Sequence, residues 1–339
     1  LLLKLAIATD DEPRYISSQN GFFNYNIKCL GMDAPATFTV SVIPISPEIN
    51  SVGSSQTYSN MTLLQEQNDS ISFTISPSAQ QGQVLEYILS VTNGLYTHTD
   101  TIEKVFGTPV ILFSSSGNSM AGWTTSTGWG VDNNIFYSST GSIADSPGNN
   151  YNSNDSTRIR TTTQMNLTGA VSATLSFRAR WEVEPRFDYV EVMASNNNGN
   201  TWTALCGKHT KPGNAYQDNL QPVYDGFMFP WIREEVDLDG YINQNLLIRF
   251  MLKSDWGNEY DGFFFDDLKV EAIISTNSVN EIGNGLEFSV SPNPTEGEFT
   301  VYGLRSAVEL SVYDVLGKEA YMSQVKSQKK EIDLSSHPK

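Results

Sequence analysis

Alternation with a period of two constrains this chain more than any other feature. Thr37–Phe38–Thr39–Val40–Ser41–Val42, Ser70–Ile71–Ser72–Phe73–Thr74–Ile75 and Glu86–Tyr87–Ile88–Leu89–Ser90–Val91 each put apolar side chains on one face of an extended strand. The pattern returns in Ala173–Thr174–Leu175–Ser176–Phe177–Arg178, in Asp188–Tyr189–Val190–Glu191–Val192–Met193 and in Leu247–Ile248–Arg249–Phe250. Turn residues separate these runs at the spacing of sandwich strands. The fold class expected is all-β, built as tandem β-sandwiches: one Ig-like, one jelly roll, and a small C-terminal Ig-like unit.

A chain of 339 residues has room for two or three domains. Its 21 basic and 38 acidic residues leave a net charge of −17, which excludes nucleic acid as a partner because phosphate binding needs a positive surface. No run of about 18 apolar residues is present, so no transmembrane segment is expected. The opening Leu1–Leu2–Leu3–Lys4–Leu5–Ala6–Ile7–Ala8 lacks the basic start and the cleavage site of a signal peptide. Closed by Thr9–Asp10–Asp11–Glu12–Pro13, it reads as a helix ending at proline. Residues 1–12 are therefore expected to be the end of an upstream domain, and the sequence a piece of a longer precursor. Cys29 and Cys206 are expected to be two buried, unpaired thiols.

Strand and turn signals divide the rest. Residues 13–107 read as the Ig-like β-sandwich, 108–274 as the larger all-β unit, 275–285 as a polar linker and 286–339 as the terminal unit. In the terminal unit, Ser291–Pro292–Asn293–Pro294 precedes the strand Glu298–Phe299–Thr300–Val301. Val312–Tyr313–Asp314–Val315–Leu316–Gly317–Lys318 and Ile332–Asp333–Leu334–Ser335 follow. This order resembles the type A sorting domain of the type IX (Por) secretion system, with its last strand missing. The resemblance implies that Pro292, Asn293, Pro294, Tyr313, Asp314 and Gly317 form a sorting signal read by export machinery. It further implies type IX partners including an outer-membrane shuttle barrel, and a secreted or cell-surface location.

Three phrases mark the larger unit: Asp145–Ser146–Pro147–Gly148–Asn149–Asn150–Tyr151, the Asp188 strand followed by Asn198–Gly199–Asn200–Thr201–Trp202, and Asp261–Gly262–Phe263–Phe264–Phe265–Asp266–Asp267–Leu268. Together they resemble the MAM-like jelly roll of immune inhibitor A metallopeptidases. Jelly rolls of this kind carry structural ions, which implies calcium held by Asp145 with Asp266 or Asp267, carboxylates being the hard donors calcium takes. The competing reading has Asp145 capping a turn and Asp266 accepting backbone N–H groups at a bulge.

Chemistry is sparse elsewhere. His98, His209 and His337 fit no zinc spacing, no G-x-S-x-G occurs, and Cys206 and His209 lie three residues apart in one loop, so no catalytic residue is assigned. Glu182, Glu184 and Asp188 cluster in sequence, and a solvated strand end paired with Arg180 and Arg186 is the favoured account. Among the tryptophans, Trp202 and Trp231 follow strand periodicity and are expected in the core, whereas Trp256 sits in a loop and is the candidate glycan contact. Ser70, Thr101 and Ser156 lie in Asp-(Ser/Thr)-x triplets that resemble bacterial O-glycosylation sites. The leucine-rich opening resembles the closing helix of zinc metallocarboxypeptidases. The whole is thus expected to be the non-catalytic tail of a secreted hydrolase whose zinc lies upstream. Alternatives are a surface adhesin or carbohydrate-binding protein, and the tail of a subtilisin-like or immune inhibitor A-type peptidase.

Overall fold

The computed structural model describes residues 6–10, 12–31, 36–275, 289–291, 297–302, 308–313, 319–325 and 329–335. It is almost wholly strand and divides into two compact units, residues 1–278 and 279–339.

The first unit opens with a two-sheet sandwich. One sheet has the order Ala6–Thr9, Asn20–Cys29, Glu66–Ile75, Ile49–Val52; the other runs Tyr15–Ile16, Thr97–Phe106, Val84–Thr92, Ala36–Pro44, Gln56–Met61. Alternate residues of each strand turn inward, so Phe23, Tyr25, Ile27, Ile71 and Phe73 meet Phe38, Val40, Leu85, Tyr87 and Leu89. Phe23 stacks on Tyr87 with centroids 4.0 Å apart.

The helix expected over residues 1–12 is replaced, in its described part, by an edge strand. Ala6–Thr9 pairs antiparallel with Asn26–Cys29, burying Ala6 and Ala8. A four-residue helix could not offset its nucleation cost, while the sheet edge satisfies these peptide groups at once. The strand delivers Asp10 to the interior, where Lys104 Nζ lies 2.6 Å from its carboxylate and the Tyr87 hydroxyl donates to it at 2.8 Å. Both charged side chains are buried.

The second sandwich follows from Val110. Its sheets run Gly130–Asp132, Ser142–Ala144, Gly262–Ile274, Ala170–Val183, Gly226–Asp237 and, facing them, Trp123–Thr125, Ser156–Thr161, Asn245–Lys253, Tyr189–Ser195, Thr203–Ala204. Val110–Ser115 joins the first sheet beside Gly262–Ile274, and Met165–Asn166 joins the second. Phe250 and Phe265 stack across the core at 4.3 Å, ringed by Phe177, Phe263, Trp123, Trp129 and Trp181. The sandwiches share a polar seam. Arg14 donates to Asp239 at 2.8 Å, and the Tyr15 hydroxyl to Thr174 at 3.0 Å.

In the second unit Ser289–Ser291, Glu298–Tyr302 and Lys329–Asp333 form one antiparallel sheet, and Val308–Tyr313 pairs with Glu319–Val325. Val301, Val325 and Ile332 form its core.

The buried pair at the amino-terminal strand makes a direct test. Asp10→Ala strands the Lys104 ammonium in the core and should cost about 3–5 kcal/mol. Urea unfolding of the whole chain reads this out; a loss below about 1 kcal/mol would mean that the strand is peripheral to the sandwich.

Candidate functional site at one end of the jelly roll

Topology gathers three loops at one end of the second sandwich. Ser142–Ala144 and Ala170–Val183 finish there, as does Asn245–Lys253; Ser156–Thr161, Tyr189–Ser195 and Gly262–Ile274 start there. Loops 145–155, 184–188 and 254–261 therefore cross the same edge. They are knit by backbone and side-chain bonds: Tyr151 N–H to Tyr260 O at 3.1 Å, Asp155 N–H to Ser254 Oγ at 3.0 Å, Ser254 Oγ to Asn152 O at 2.7 Å, and Ser153 N–H to the Glu259 carboxylate at 3.0 Å.

Between them sit Glu184, Asp188 and Asp255, each with a carboxylate oxygen within 4.8 Å of the others. Asp188 is 1% and Glu184 9% exposed. Donors fix their orientation. Tyr151 Oη gives its hydrogen to Asp188 at 2.7 Å, Asp255 N–H reaches Asp188 at 2.7 Å, Gly257 N–H reaches Asp255 at 2.6 Å, and Asn258 Nδ2 reaches Glu184 Oε1 at 2.6 Å. Burial raises the Asp188 carboxyl above its usual range, and the charges of Asp255 and Glu184 add to that rise against the pull of the Tyr151 hydroxyl and the Asp255 N–H. The solvated strand end expected for Glu182, Glu184 and Asp188 holds only for Glu182, which pairs with Arg180 at 3.1 Å. Glu184 and Asp188 turn into the loops because the strand ends at Val183 and the chain must cross to Tyr189. Arg186, at φ +77, donates its N–H to Asp225 instead.

The acids expected to share calcium lie apart. Asp145 sits where Gly262 and Phe263 begin their strand, and accepts the Phe263 N–H at 2.5 Å and the Ser146 hydroxyl at 3.0 Å. Burial pushes its carboxyl up to about 7 against those bonds. Asp266 stands three residues further along and accepts N–H groups from Tyr137, Ser138 and Asp267 at 3.0, 2.8 and 2.7 Å. Asp267 accepts the Ser138 hydroxyl at 2.8 Å and adopts φ +47 beside a register shift. Asp266 accepts backbone N–H groups as the alternative reading has it, but Asp145 caps no turn: the Gly148 N–H goes to Asp132 at 2.8 Å, and Asp145 is not brought to Asp266 and Asp267. Asp261, also raised by burial, faces Arg180.

Trp256 projects from the 254–261 loop and is 84% exposed. Trp202 and Trp231 leave the core they were expected to fill. Trp202 lies 4.4 Å beneath the Arg249 guanidinium, and Trp231 packs edge-on to Tyr137. Both thiols are free, with Cys29 buried and Cys206 exposed. Thr101 and Ser156 are exposed and Ser70 half-buried. Of the sorting-signal residues, Tyr313 ends its strand exposed, while Pro292, Asn293, Pro294, Asp314 and Gly317 lie outside the described residues.

Two features escaped the sequence reading. Phe227 and Phe229 alternate along an outer strand and stack with an interplanar angle of 2°, with Tyr260 edge-on to Phe227. Both are exposed. Glu191 is fully buried in the middle of Tyr189–Ser195. Burial, then the charge of Asp218, push its carboxyl up to about 7 against Arg249 and Lys253.

The strands and loops define a jelly-roll accessory module beside an Ig-like sandwich. Residues 137–279 match the family model Immune inhibitor A-like, MAM domain, and residues 289–339 match Secretion system C-terminal sorting domain. The chain thus carries an immune inhibitor A-like MAM domain and a sorting domain that marks it for export, to secretion or to the cell surface. Pre-pro-metalloprotease PrtV of Vibrio cholerae serotype O1, from strains M66-2 and ATCC 39315, is 26% identical over 120 residues. That stretch is 35% of this chain and 12% of those curated relatives' length. Among solved structures, the CBM22-1 xylan-binding domain of Paenibacillus barcinonensis Xyn10C aligns at TM-score 0.30 and 12% identity, covering 49% of this chain and 96% of that one. The secreted serine protease VesC of Vibrio cholerae aligns at TM-score 0.28 and 9% identity, covering 75% and 48%. No helix among the described residues is long and apolar enough to cross a membrane.

Glu191 sets a pH dependence whose sign is fixed. Its folded value near 7 lies above the ordinary 4.5, so the folded state holds the proton more tightly. Its contribution to stability is complete below about pH 4.5 and is lost as pH rises through about 7. Glu191→Gln should therefore melt higher than the parent at pH 8 and alike at pH 4.5. Melting curves that stay parallel across that range would show that the carboxyl does not titrate in the fold.

Proposed function

We propose that this chain is the non-catalytic C-terminal region of a secreted bacterial metallopeptidase, delivered by the type IX machinery and handed to an outer-membrane shuttle barrel. The observation that carries the reading is the succession of an immune inhibitor A-like MAM domain at 137–279 and a sorting domain at 289–339. The partial similarity to a pre-pro-metalloprotease supports the peptidase. In this reading the catalytic zinc belongs to an upstream domain, and the two sandwiches travel as its cargo extension. The zinc metallocarboxypeptidase version rests on the run Leu1–Ala8 and Asp11–Glu12–Pro13 and loses its helix at Ala6–Thr9. The immune inhibitor A-type version is supported by the MAM match and is preferred here.

A second reading, glycan binding, is favoured by the stacked, exposed Phe227 and Phe229 and by Trp256. We also propose O-glycosylation at Thr101 and Ser156, which are exposed, ahead of Ser70.

Removing residues 289–339 from the native protein in its own cells should abolish extracellular product and accumulate the protein behind the outer membrane. Cell fractionation with immunoblotting measures this. Export at the parent level would refute sorting by this segment.

A further inference from the structure

The trio of Glu184, Asp188 and Asp255 is acidic and closely packed, with Glu184 and Asp188 buried and Asp255 half-buried. Asp188 and Glu184 are at least nine-tenths buried, and among the described residues no Lys, Arg or His makes an ion pair with any of the three. Arg180 pairs with Glu182 and Lys211 with Asp225. Carboxylates packed this closely repel one another unless a proton or a cation lies between them.

A second, independent feature points to the cation. Glu184 Oε2 is buried and has no hydrogen-bond partner, although Oε1 of the same group is held by Asn258. An orphan buried carboxylate oxygen is expensive; Glu191 shares this state and takes a raised carboxyl, whereas Asp145 and Asp266 accept several donors each. Gly257 keeps the space beside that oxygen clear. A Cβ there would stand 2.9 Å from Glu184 Oε2 and 2.7 Å from Asp255 Oδ1. The donors around the trio, Tyr151, the Asp255 and Gly257 N–H groups and Asn258, hold the ligand oxygens in place as outer-shell groups hold metal ligands.

We propose that Glu184, Asp188 and Asp255 bind one divalent cation, Ca²⁺, which staples loops 184–188 and 254–261 to Tyr151. The donor set is all oxygen, with neither imidazole nor thiolate, which selects a hard ion. Calcium accepts the irregular geometry of ligands from two loops and completes its six to eight ligands with water and loop carbonyls, whereas Mg²⁺ demands a regular octahedron. An affinity on the order of 0.1–1 mM, as for extracellular modules, suits an exported protein. The site is separate from Asp145, Asp266 and Asp267, whose oxygens already accept protein donors.

The test uses the whole 339-residue chain, stripped with EDTA. Adding 5 mM CaCl₂ should raise the melting temperature of the jelly-roll transition by roughly 2–9 °C, and MgCl₂ by much less. Glu184→Gln and Asp255→Asn should melt at or above the parent in EDTA, since each removes a repulsion, yet gain nothing from CaCl₂. Asp267→Asn should keep the full calcium gain. If Asp255→Asn fails to fold, Glu184→Gln, which retains the Asn258 bond, decides alone. A parent that ignores calcium overturns the proposal, as does a Glu184→Gln protein that still gains from it.

Discussion

The stacking of Phe250 on Phe265 fixes everything else in the larger sandwich. These rings come from facing sheets and lie 4.3 Å apart with planes 11° from parallel. Because side chains alternate along a strand, seating Phe265 inward also seats Phe263 inward and sends Phe264 and Asp266 to the opposite face. A slip of one residue would take Asp266 from the N–H groups of Tyr137, Ser138 and Asp267 and set it in the place of Phe265 against Phe250. Register held at this point carries to the strand ends, Lys253 and Gly262, from which the 254–261 loop departs. The acidic trio is thus positioned by apolar packing two to three residue pairs away.

Docking of the two sandwiches obeys a different physics. Their seam is polar, with Arg14 held by Asp239 and Asp237, Tyr15 by Thr174, and Lys208 Nζ by the Asp10 carbonyl at 3.0 Å. The backbone passes between them at Gly107, φ +143, where a Cβ would come 2.9 Å from Ile273. Only glycine allows so close a crossing. The first sandwich is thus fastened to its neighbour through Asp10, Arg14 and Tyr15. The edge strand Ala6–Thr9 matters here, since it leads Asp10 both to Lys104 and to Lys208.

Period-two alternation made the strands legible, because burial of one face is a local demand that each strand meets alone. It failed at Ala6–Thr9, where a short apolar run satisfies helix and strand templates equally and only the sheet edge decides. The jelly roll and the terminal signal were both legible as ordered phrases, and the family matches to 137–279 and 289–339 agree with them in turn. Site chemistry was harder. Glu184 and Asp188 stood out as neighbours, yet Asp255 lies far away in sequence and joins them only because two strands end at one edge. The Asp145–Asp266 pairing came from likeness, and a strand offset of three residues keeps those acids apart. Trp202 and Trp231 misled because alternation names a face without saying which face is inside.

Exposed aromatics and one member of the acidic cluster, Asp255, meet on a single loop, and this links the two functional readings. Trp256 directly follows Asp255, whose backbone N–H is held by Asp188, and precedes Gly257, whose N–H is held by Asp255. Tyr260, three residues before Phe263, closes against Phe227 and its stacked partner Phe229. An aromatic ring contributes to binding only when its orientation is paid for in advance; a loop free to move would spend that gain on ordering itself. Here the ordering is supplied by carboxylates that already hold the loop to the strand ends. The acidic cluster therefore acts as the fixture of the Trp256 loop, and whatever neutralises the cluster also sets the rigidity of the surface that the aromatics present.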